Sequence, residues 1–240
     1  MTPRRLTHWR GEPVAAVVLA GGIGRRFGSD KAQAVVAGAR LIDRALTATA
    51  AFDPVWVVAG TPQRASDLAP LLPEPARVVP DDVPGAGPIG GIATALRLAG
   101  TGWVAVLAVD LPLVDGNWWA ALLTAAEATA ASTAAEPADA GPGASLARAT
   151  AARAVAARAA DGRWEPLAAL FHTDLGPMAA ERAAPGGDRS LQRFLAAAGA
   201  QAVPFDALPA SAVASLHNVN TREDAALAEG RSPGRREEHR

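Results

Sequence analysis

The sequence predicts an α/β fold of three layers, in which a mostly parallel sheet has helices on both faces. Three observations predict it. Residues 14–20 form an apolar run that ends in glycines, which is typical of a central strand buried on both sides. Strand-like segments alternate with segments of helical spacing, which favours a parallel sheet. The strand-like segments contain few charges, so we expect helices to cover both faces of the sheet.

Each element has its own signal in the sequence. Strands are predicted at residues 14–20, 54–59, 77–79, 103–109, 167–171 and 200–204. Helices are predicted at residues 40–52, 63–71, 90–98, 117–130, within 186–198 and at 221–228. In the last helix we expect Thr221 to be the N-cap, with Asp224 three residues later. Residues 131–157 are rich in alanine and lack a clear period, so a loop followed by a short helix or strand is expected there.

Length and composition predict one domain between two tails. A chain of 240 residues, half of them hydrophobic, can form one large core. We expect this domain to span residues 13–229. Residues 1–12 and 230–240 are polar or charged, and we expect both tails to be disordered.

Composition also excludes several classes of function. The formal net charge is −1, from 23 basic and 24 acidic residues, which gives no electrostatic argument for binding nucleic acid or a membrane surface. The absence of cysteine excludes disulfides, thiolate metal sites and cysteine nucleophiles. No apolar signal region follows the basic N-terminus, and the run at 14–20 is too short to span a bilayer. A soluble, cytoplasmic protein is therefore expected.

A glycine-rich, basic segment follows the first predicted strand. Glycines let a backbone approach a ligand closely, and exposed N–H groups and cations suit phosphate oxygens. The glycines are Gly21, Gly22 and Gly24, and the cations are Arg25, Arg26 and Lys31. Because ligands bind at the carboxyl ends of the strands in open α/β sheets, this segment predicts a phosphate site.

The segment fits neither of two common glycine motifs. A P-loop needs a lysine directly after its last glycine, whereas Gly28 is followed by Ser29 and Asp30. A dinucleotide fingerprint needs a third glycine where this chain has Phe27. These spacings argue against a P-loop NTPase and an NAD-dependent oxidoreductase.

A carboxylate is predicted to face the same crevice. Asp110 comes directly after the apolar strand predicted at residues 103–109. One carboxylate, together with NTP phosphates and water, can hold an octahedral Mg²⁺ ion. A turn or a helix cap is the alternative role for such a residue, and it is the role that we expect for Asp115.

Residues 19–32 read LAGGIGRRFGSDKA, which resembles the LAGG-x-S-x-R-M-G-x-D-K-A signature of molybdenum-cofactor guanylyltransferases and related NTP-transferase domains. The resemblance implies a Rossmann-like fold of the nucleotide-diphospho-sugar transferase type, with the loop wrapped around the NTP phosphates. Two positions differ from the signature, because Gly24 replaces the usual serine and Phe27 the usual methionine. The matched residues in this segment are Leu19, Ala20, Gly21 and Gly22 at the nucleotide, and Arg26 and Lys31 as its cations.

Three further segments extend the resemblance. Asp110 matches the magnesium site of the family. Asp81, with Asp82 as a close second, matches a residue that meets the nucleotide, and the Gly-Pro-Ile-Gly-Gly run that includes Gly90 should approach the base. On the acceptor side, where the family places a phosphorylated pterin, the resemblance implies Arg163, Arg189, Asn218 and Asn220. Solvent-exposed arginines, and a capping role for Asn220, are the alternatives for this last set.

The resemblance implies an enzyme that transfers GMP from GTP to the terminal phosphate of molybdenum-bound molybdopterin and releases pyrophosphate. Arg26, Lys31 and Asp110 would be its catalytic residues and Mg²⁺ its cofactor. Brief contacts with proteins that deliver or receive the cofactor are also expected. The alternatives are transfer from CTP, another phosphorylated acceptor such as that of phospholactate guanylyltransferases, and a non-catalytic nucleotide-binding regulator. Residues 131–162 depart most from the family, which leaves the acceptor open.

Overall fold

The structure is a computed structural model that describes residues 5–22, 30–100, 102–135 and 152–231. Its strands are β1 (His8–Trp9), β2 (Glu12–Leu19), β3 (Val35–Val36), β4 (Ala39–Arg40), β5 (Val55–Val58), β6 (Arg77–Val79), β7 (Trp103–Ala108), β8 (Ala154–Arg158), β9 (Trp164–His172) and β10 (Gln201–Pro204). Its α-helices are α1 (Leu41–Thr49), α2 (Pro62–Leu68), α3 (Pro88–Ala99), α4 (Gly116–Ala135), α5 (Gly176–Ala183), α6 (Leu191–Ala197), α7 (Ala210–Ala214) and α8 (Arg222–Arg231). Short 3₁₀ helices lie at Lys31–Gln33, Ala69–Leu71, Thr173–Leu175 and Phe205–Ala207.

The main sheet has the strand order β10-β8-β9-β7-β2-β5-β6, and β1 pairs with the beginning of β2. β2 is parallel to β5 and β7, and the pairs β5–β6 and β8–β10 are parallel too. β9 runs antiparallel to both of its neighbours. The prediction of a mostly parallel sheet is therefore confirmed. β3 and β4 form a separate hairpin, in which Ala37 and Gly38 have φ of 48° and 79°.

The central strand β2 is buried on both faces, as its composition predicts. Val14, Ala16 and Val18 belong to one apolar cluster, and Ala15 and Val17 belong to the other. This alternation follows from the two-residue period of a strand. Helices α1, α2, α4 and α8 supply the first cluster, and α3, α5 and α6 supply the second, which gives the three predicted layers.

Three parallel strands end side by side at one edge of the sheet. Leu19, the last residue of β2, is in register with Val58 of β5 and with Ala108 of β7. The segments that follow these strands must therefore start next to one another. This edge brings the glycine-rich segment close to Asp110.

The prediction of a disordered tail at residues 1–12 is wrong for residues 5–12. Trp9 is 5% exposed, and its ring packs edge-on against Trp103 with 4.6 Å between centroids. The guanidinium of Arg10 lies 4.2 Å from the centre of the Trp9 ring. Burial of one large aromatic side chain favours order in a segment that is otherwise polar.

The other predicted elements are confirmed, with ends that differ by a few residues. β8 is the strand expected after the alanine-rich loop, of which residues 136–151 lie outside the described ranges. α8 continues to Arg231, so it includes the first two residues of the predicted C-terminal tail. β1, the β3–β4 hairpin, α5 and α7 were not predicted. In the described ranges, no helix has the length and apolarity that crossing a membrane requires.

Candidate active site

A cavity of about 350 Å³ opens at the edge where β2, β5 and β7 end. The segments after these strands, the end of β6 and the start of α3 surround it. Its lining residues are Leu19, Gly21, Gly22, Lys31, Val58, Gly60, Thr61, Arg64, Asp81, Gly85, Gly87, Pro88, Gly91, Ala108, Val109, Asp110 and Leu167. Six of the residues predicted to bind nucleotide line this cavity: Leu19, Gly21, Gly22, Lys31, Asp81 and Asp110.

Lys31 is placed by a helix cap. The Asp30 carboxylate accepts a hydrogen bond from the backbone N of Ala32 at 3.0 Å, which caps the 3₁₀ helix that Lys31 begins. The Lys31 side chain is 11% exposed, and its Nζ lies 3.0 Å from Oδ2 of Asp110. Nζ also donates to Oδ1 of Asn220 at 2.7 Å. The Lys31 ammonium therefore contacts both Asp110, which lies 79 residues further along the chain, and Asn220 of the C-terminal segment.

The two carboxylate oxygens of Asp110 have different surroundings. Its Oδ2 accepts from Lys31, whereas its buried Oδ1 has no hydrogen-bond partner among the described residues. Buried carboxylate oxygens are normally satisfied, so such an atom beside a cavity fits a cation. The described residues contain no group of three or more acidic or histidine side chains that could hold a metal. Asp110 therefore fits a cation that brings phosphate or water ligands with it.

Asp81 is a second carboxyl at the cavity, immediately after β6. Burial, and then the charge of Asp82, raise its pKa from 3.8 to about 6. Its backbone N donates to the carbonyl of Gly60 at 2.9 Å. Asp82, the close second, points elsewhere, because it forms a bidentate ion pair with Arg97 at 2.6 and 2.7 Å.

Close packing accounts for two glycines of the site. A Cβ atom on Gly21 would lie 3.1 Å from the backbone of Gly60, so the segments after β2 and β5 touch through bare backbone. A Cβ on Gly91 would lie 2.8 Å from a methyl group of Leu19. Both glycines line the cavity, where a larger residue would fill space that a ligand could use.

Two residues that were predicted to bind the nucleotide, Gly90 and Ala20, are not among the lining residues of the cavity. Gly90 does not line the cavity, whereas its neighbour Gly91 does; a Cβ atom on Gly90 would lie 2.8 Å from the Cβ of Ala86. Ala20 is 1% exposed, and its carbonyl accepts a hydrogen bond from Arg64. The helical geometry of α3 directs Gly90 away from the cavity, and the buried end of β2 does the same for Ala20. Arg26 lies outside the described residues.

The predicted acceptor residues separate into two groups. Asn220 contacts Lys31, and Arg189 donates at 3.0 Å to the carbonyl of Gly85, which lines the cavity. Arg163 and Asn218 are exposed and do not line it. Between the two Asn residues, the buried Val219 donates its backbone N–H to the Asp110 carbonyl at 2.8 Å. The C-terminal segment is thus tied directly to the site.

Sequence reasoning missed Arg64 and Glu165. Arg64 lines the cavity and joins three elements through its guanidinium. Glu165 lies on β9, and its pKa is raised mainly by burial, with Asp110 also raising it and Arg163 lowering it. Neither residue belongs to a motif. The sequence signals that could have indicated them are the position of Arg64 in the first turn of a helix and the position of Glu165 at the start of a strand.

Comparisons with known proteins identify the family of this chain. The model of the MobA-like NTP transferase domain matches residues 16–203. A probable molybdenum cofactor guanylyltransferase from Opitutus terrae is 35% identical over 189 residues, which cover 77% of this chain and 78% of that protein. The molybdenum cofactor guanylyltransferase of Serratia proteamaculans is 31% identical over 220 residues, which cover 89% and 92% of the two chains.

The fold agrees with a solved structure as well. The crystal structure of molybdopterin-guanine dinucleotide biosynthesis protein A from Archaeoglobus fulgidus superposes with a TM-score of 0.70 at 24% identity, covering 90% of this chain and 97% of that one. This confirms the Rossmann-like fold of the nucleotide-diphospho-sugar transferase type. A shared fold, a family model that spans most of the chain, and relatives at 31–35% identity lead to one conclusion: the chain belongs to the family of MobA-like NTP transferase domains, which are nucleotidyltransferases.

Proposed function

We propose that this protein transfers the GMP group of GTP to the terminal phosphate of molybdenum-bound molybdopterin and releases pyrophosphate. The observation that carries the proposal is the contact of 3.0 Å between Lys31 and Asp110 across the cavity. The Lys31 ammonium, and an Asp110 oxygen without a hydrogen-bond partner among the described residues, support a site here for a triphosphate and its counter-ion. The names of the relatives from Opitutus terrae and Serratia proteamaculans favour guanine and the molybdenum cofactor.

The proposed reaction is an in-line displacement at phosphorus. An oxygen of the acceptor phosphate forms a bond to the α-phosphorus of GTP. The bond between that phosphorus and the oxygen bridging to the β-phosphate breaks, and pyrophosphate leaves with the electron pair. A phosphate monoester is largely ionised near pH 7, so this step needs no general base. Accordingly, no histidine is among the described residues that line the cavity.

Lys31 would neutralise the charge that grows on the leaving pyrophosphate. Its ammonium is buried and already lies inside the cavity, so little reorganisation is needed when a nucleotide binds. Its hydrogen bonds to Asp110 and Asn220 hold it in place. We propose the same charge-neutralising role for Arg26.

Asp110 would hold Mg²⁺ through the oxygen that lacks a partner. When bound there, the ion would withdraw charge from the phosphate oxygens and make the α-phosphorus more electrophilic. Asp81 would accept hydrogen bonds from the nucleotide. We propose acceptor contacts for Arg189 and Asn220, which contact the lining residues Gly85 and Lys31, and also for Arg163 and Asn218.

The cellular setting belongs to the same proposal. We expect the protein to work in the cytoplasm, without nucleic acid or a membrane as a partner. Brief contacts with proteins that supply molybdopterin or accept the finished cofactor are expected as well. CTP as the nucleotide, another phosphorylated acceptor, and nucleotide binding without transfer are the competing functions.

The test is pyrophosphate release by the purified protein with Mg²⁺ and molybdenum-bound molybdopterin. GTP should support release, and CTP should support little or none. Asp110→Asn should reduce the rate on the order of 100- to 1000-fold, because it removes the charge that holds the cation. Asp115→Asn is the matched control, since Asp115 caps α4 through a 2.9 Å bond to Asn117 and asparagine also caps helices.

Three results would contradict the proposal. GTP binding without pyrophosphate release, under conditions where the folded protein and both substrates are present, would favour the regulator. Faster release with CTP would reassign the nucleotide. An Asp110→Asn protein as active as Asp115→Asn would remove Asp110 from the reaction.

A further inference from the structure

Arg64 lies in the first turns of α2, directly after β5, and its guanidinium joins three separate segments. Its Nε donates to the carbonyl of Ala59 at 3.1 Å. Its Nη2 donates to the carbonyl of Ala20 at 2.6 Å and to Oδ1 of Asp30 at 2.8 Å. The side chain is 16% exposed, so the hydrogen bonds and the ion pair form largely away from water.

The two outer acceptors stand at the two ends of the glycine-rich segment. Ala20 follows β2 and precedes Gly21, and Asp30 immediately precedes Lys31. Ala59 follows β5, which is the strand next to β2 in the sheet. One planar side chain therefore connects both ends of the glycine-rich segment to the neighbouring strand.

The contact with Asp30 leads on to the catalytic lysine. The same oxygen of Asp30 that accepts from Arg64 also accepts from the backbone N of Ala32. This second bond caps the turn that carries Lys31, and Lys31 reaches Asp110 at 3.0 Å. A movement of Asp30 would therefore move Lys31 relative to Asp110.

We propose that Arg64 is a positioning residue, which fixes both ends of the glycine-rich segment and, through Asp30, the place of Lys31. The inference deepens the proposed function, on which its effect on catalysis rests. An arginine suits this role better than a lysine, because its rigid fork can serve several acceptors at once.

The first test uses the protein without nucleotide. Amide hydrogen exchange, read by NMR, should become about tenfold faster at Ala32 in Arg64→Met, because the cap on the Lys31 turn is loosened. Exchange in β7 should not change. Arg40→Met is the matched control, since Arg40 also pairs with an aspartate, Asp43, and with a backbone carbonyl, but lies away from the cavity.

The second test measures the consequence for the nucleotide. The Kd for GTP, from calorimetry, should rise about 10- to 100-fold in Arg64→Met. The kcat should fall as well, because a misplaced Lys31 weakens the contacts of both the bound nucleotide and the transition state. Arg64→Lys should lie between wild type and Arg64→Met, since an ammonium keeps the charge for Asp30 but cannot reach all three acceptors. Arg40→Met should stay near wild type in both quantities.

The outcomes separate this inference from its alternatives. If Arg64→Met weakens GTP binding but leaves exchange at Ala32 unchanged, Arg64 is a direct ligand of the nucleotide and the inference is wrong. If neither quantity changes, it is wrong too. Should Arg64→Met fail to fold, the same two comparisons are made with Arg64→Lys. If the wild type does not bind GTP, the proposed function fails. The exchange rate at Ala32 in Arg64→Met then tests the positioning role of Arg64 by itself.

Discussion

Among single residues, Asp81 shows how an active-site carboxyl can oppose stability. Burial raises its pKa to about 6, which means that folding disfavours its charged form. A raised folded-state pKa contributes stability that is fully present below the unfolded value of 3.8. That contribution is lost as the pH rises through about 6. Near neutral pH the ionised Asp81 therefore destabilises the fold.

Asp81→Asn should stabilise the protein at pH 8. We expect a gain of about 1–2 kcal/mol, after a reduction for the partial exposure of the side chain. The gain should shrink towards pH 4.5, where the wild-type carboxyl is protonated in the folded state. Urea unfolding at the two pH values measures it. The same variant should bind GTP more weakly, and a variant that is less stable than wild type at pH 8 would contradict the pKa argument.

Single residues of the cavity differ in whether the sequence could predict them. Lys31 was predictable because it belongs to the signature at residues 19–32, and Asp110 because it directly follows an apolar strand. Their place at one crevice followed from the rule that ligands bind at the carboxyl ends of parallel strands. Arg64 and Glu165 were not predictable, since their roles depend on which distant backbone carbonyl or carboxylate the fold brings near. Gly90 was placed one residue away from Gly91, an offset that turns a helical position by about 100°.

Among the elements, the C-terminal segment both caps a helix and contacts a residue of the cavity. Thr221 caps α8 by accepting from the backbone N of Asp224 at 3.1 Å, and Asp224 accepts from the backbone N atoms of Asn220 and Thr221. These bonds lower the pKa of Asp224, the bond from Asn220 most of all. The capping box predicted from the sequence is thus confirmed, and it holds the residue that contacts Lys31.

Thr221→Val should reduce stability and activity together. Loss of the cap should cost about 1 kcal/mol of unfolding free energy. We also expect pyrophosphate release to slow several-fold, because Asn220 is held by the same turn. Thr47→Val is the control, since the Thr47 hydroxyl only bonds back to a carbonyl of its own helix, at Asp43. Denaturant unfolding and steady-state rates measure both effects, and an equal loss in the control would refute the special role of this cap.

Element types that sequence reasoning missed are short or depend on packing. The β3 and β4 strands have two residues each, and α7 has five, which are lengths at which periodicity gives no signal. The antiparallel direction of β9 was also not predictable, because an apolar run looks the same in either direction. It is set by the pairing of β9 with β7 and β8.

In the whole molecule, the N-terminal segment stabilises the end of the sheet away from the cavity. β1 pairs with Glu12 and Pro13 at the beginning of β2, whereas the cavity lies beyond Leu19 at its end. Trp9 packs on Trp103, and its Nε1 donates to Glu127 of α4 at 3.3 Å. We therefore expect changes at the β1 end of the sheet to alter stability without altering ligand binding at the opposite end.

Trp9→Ala should destabilise the fold by about 3 kcal/mol, because it leaves a cavity where an indole packed. GTP affinity should stay at the wild-type value at a temperature where the variant remains folded. His8→Ala, an exposed neighbour in the same strand, is the control. Urea unfolding and calorimetry make the comparison, and a loss of GTP affinity in folded Trp9→Ala would show that the two ends are coupled.

The contact between Lys31 and Asp110 should also couple the binding of a cation to the binding of a nucleotide. A divalent ion that approached Asp110 alone would meet an ammonium group 3.0 Å from that carboxylate, and the two positive charges would repel. A triphosphate offers Lys31 another partner and brings oxygens for the ion, so the two ligands should reinforce each other's binding. A nucleotide that binds Lys31 would therefore release the Asp110 carboxylate and let it hold a cation.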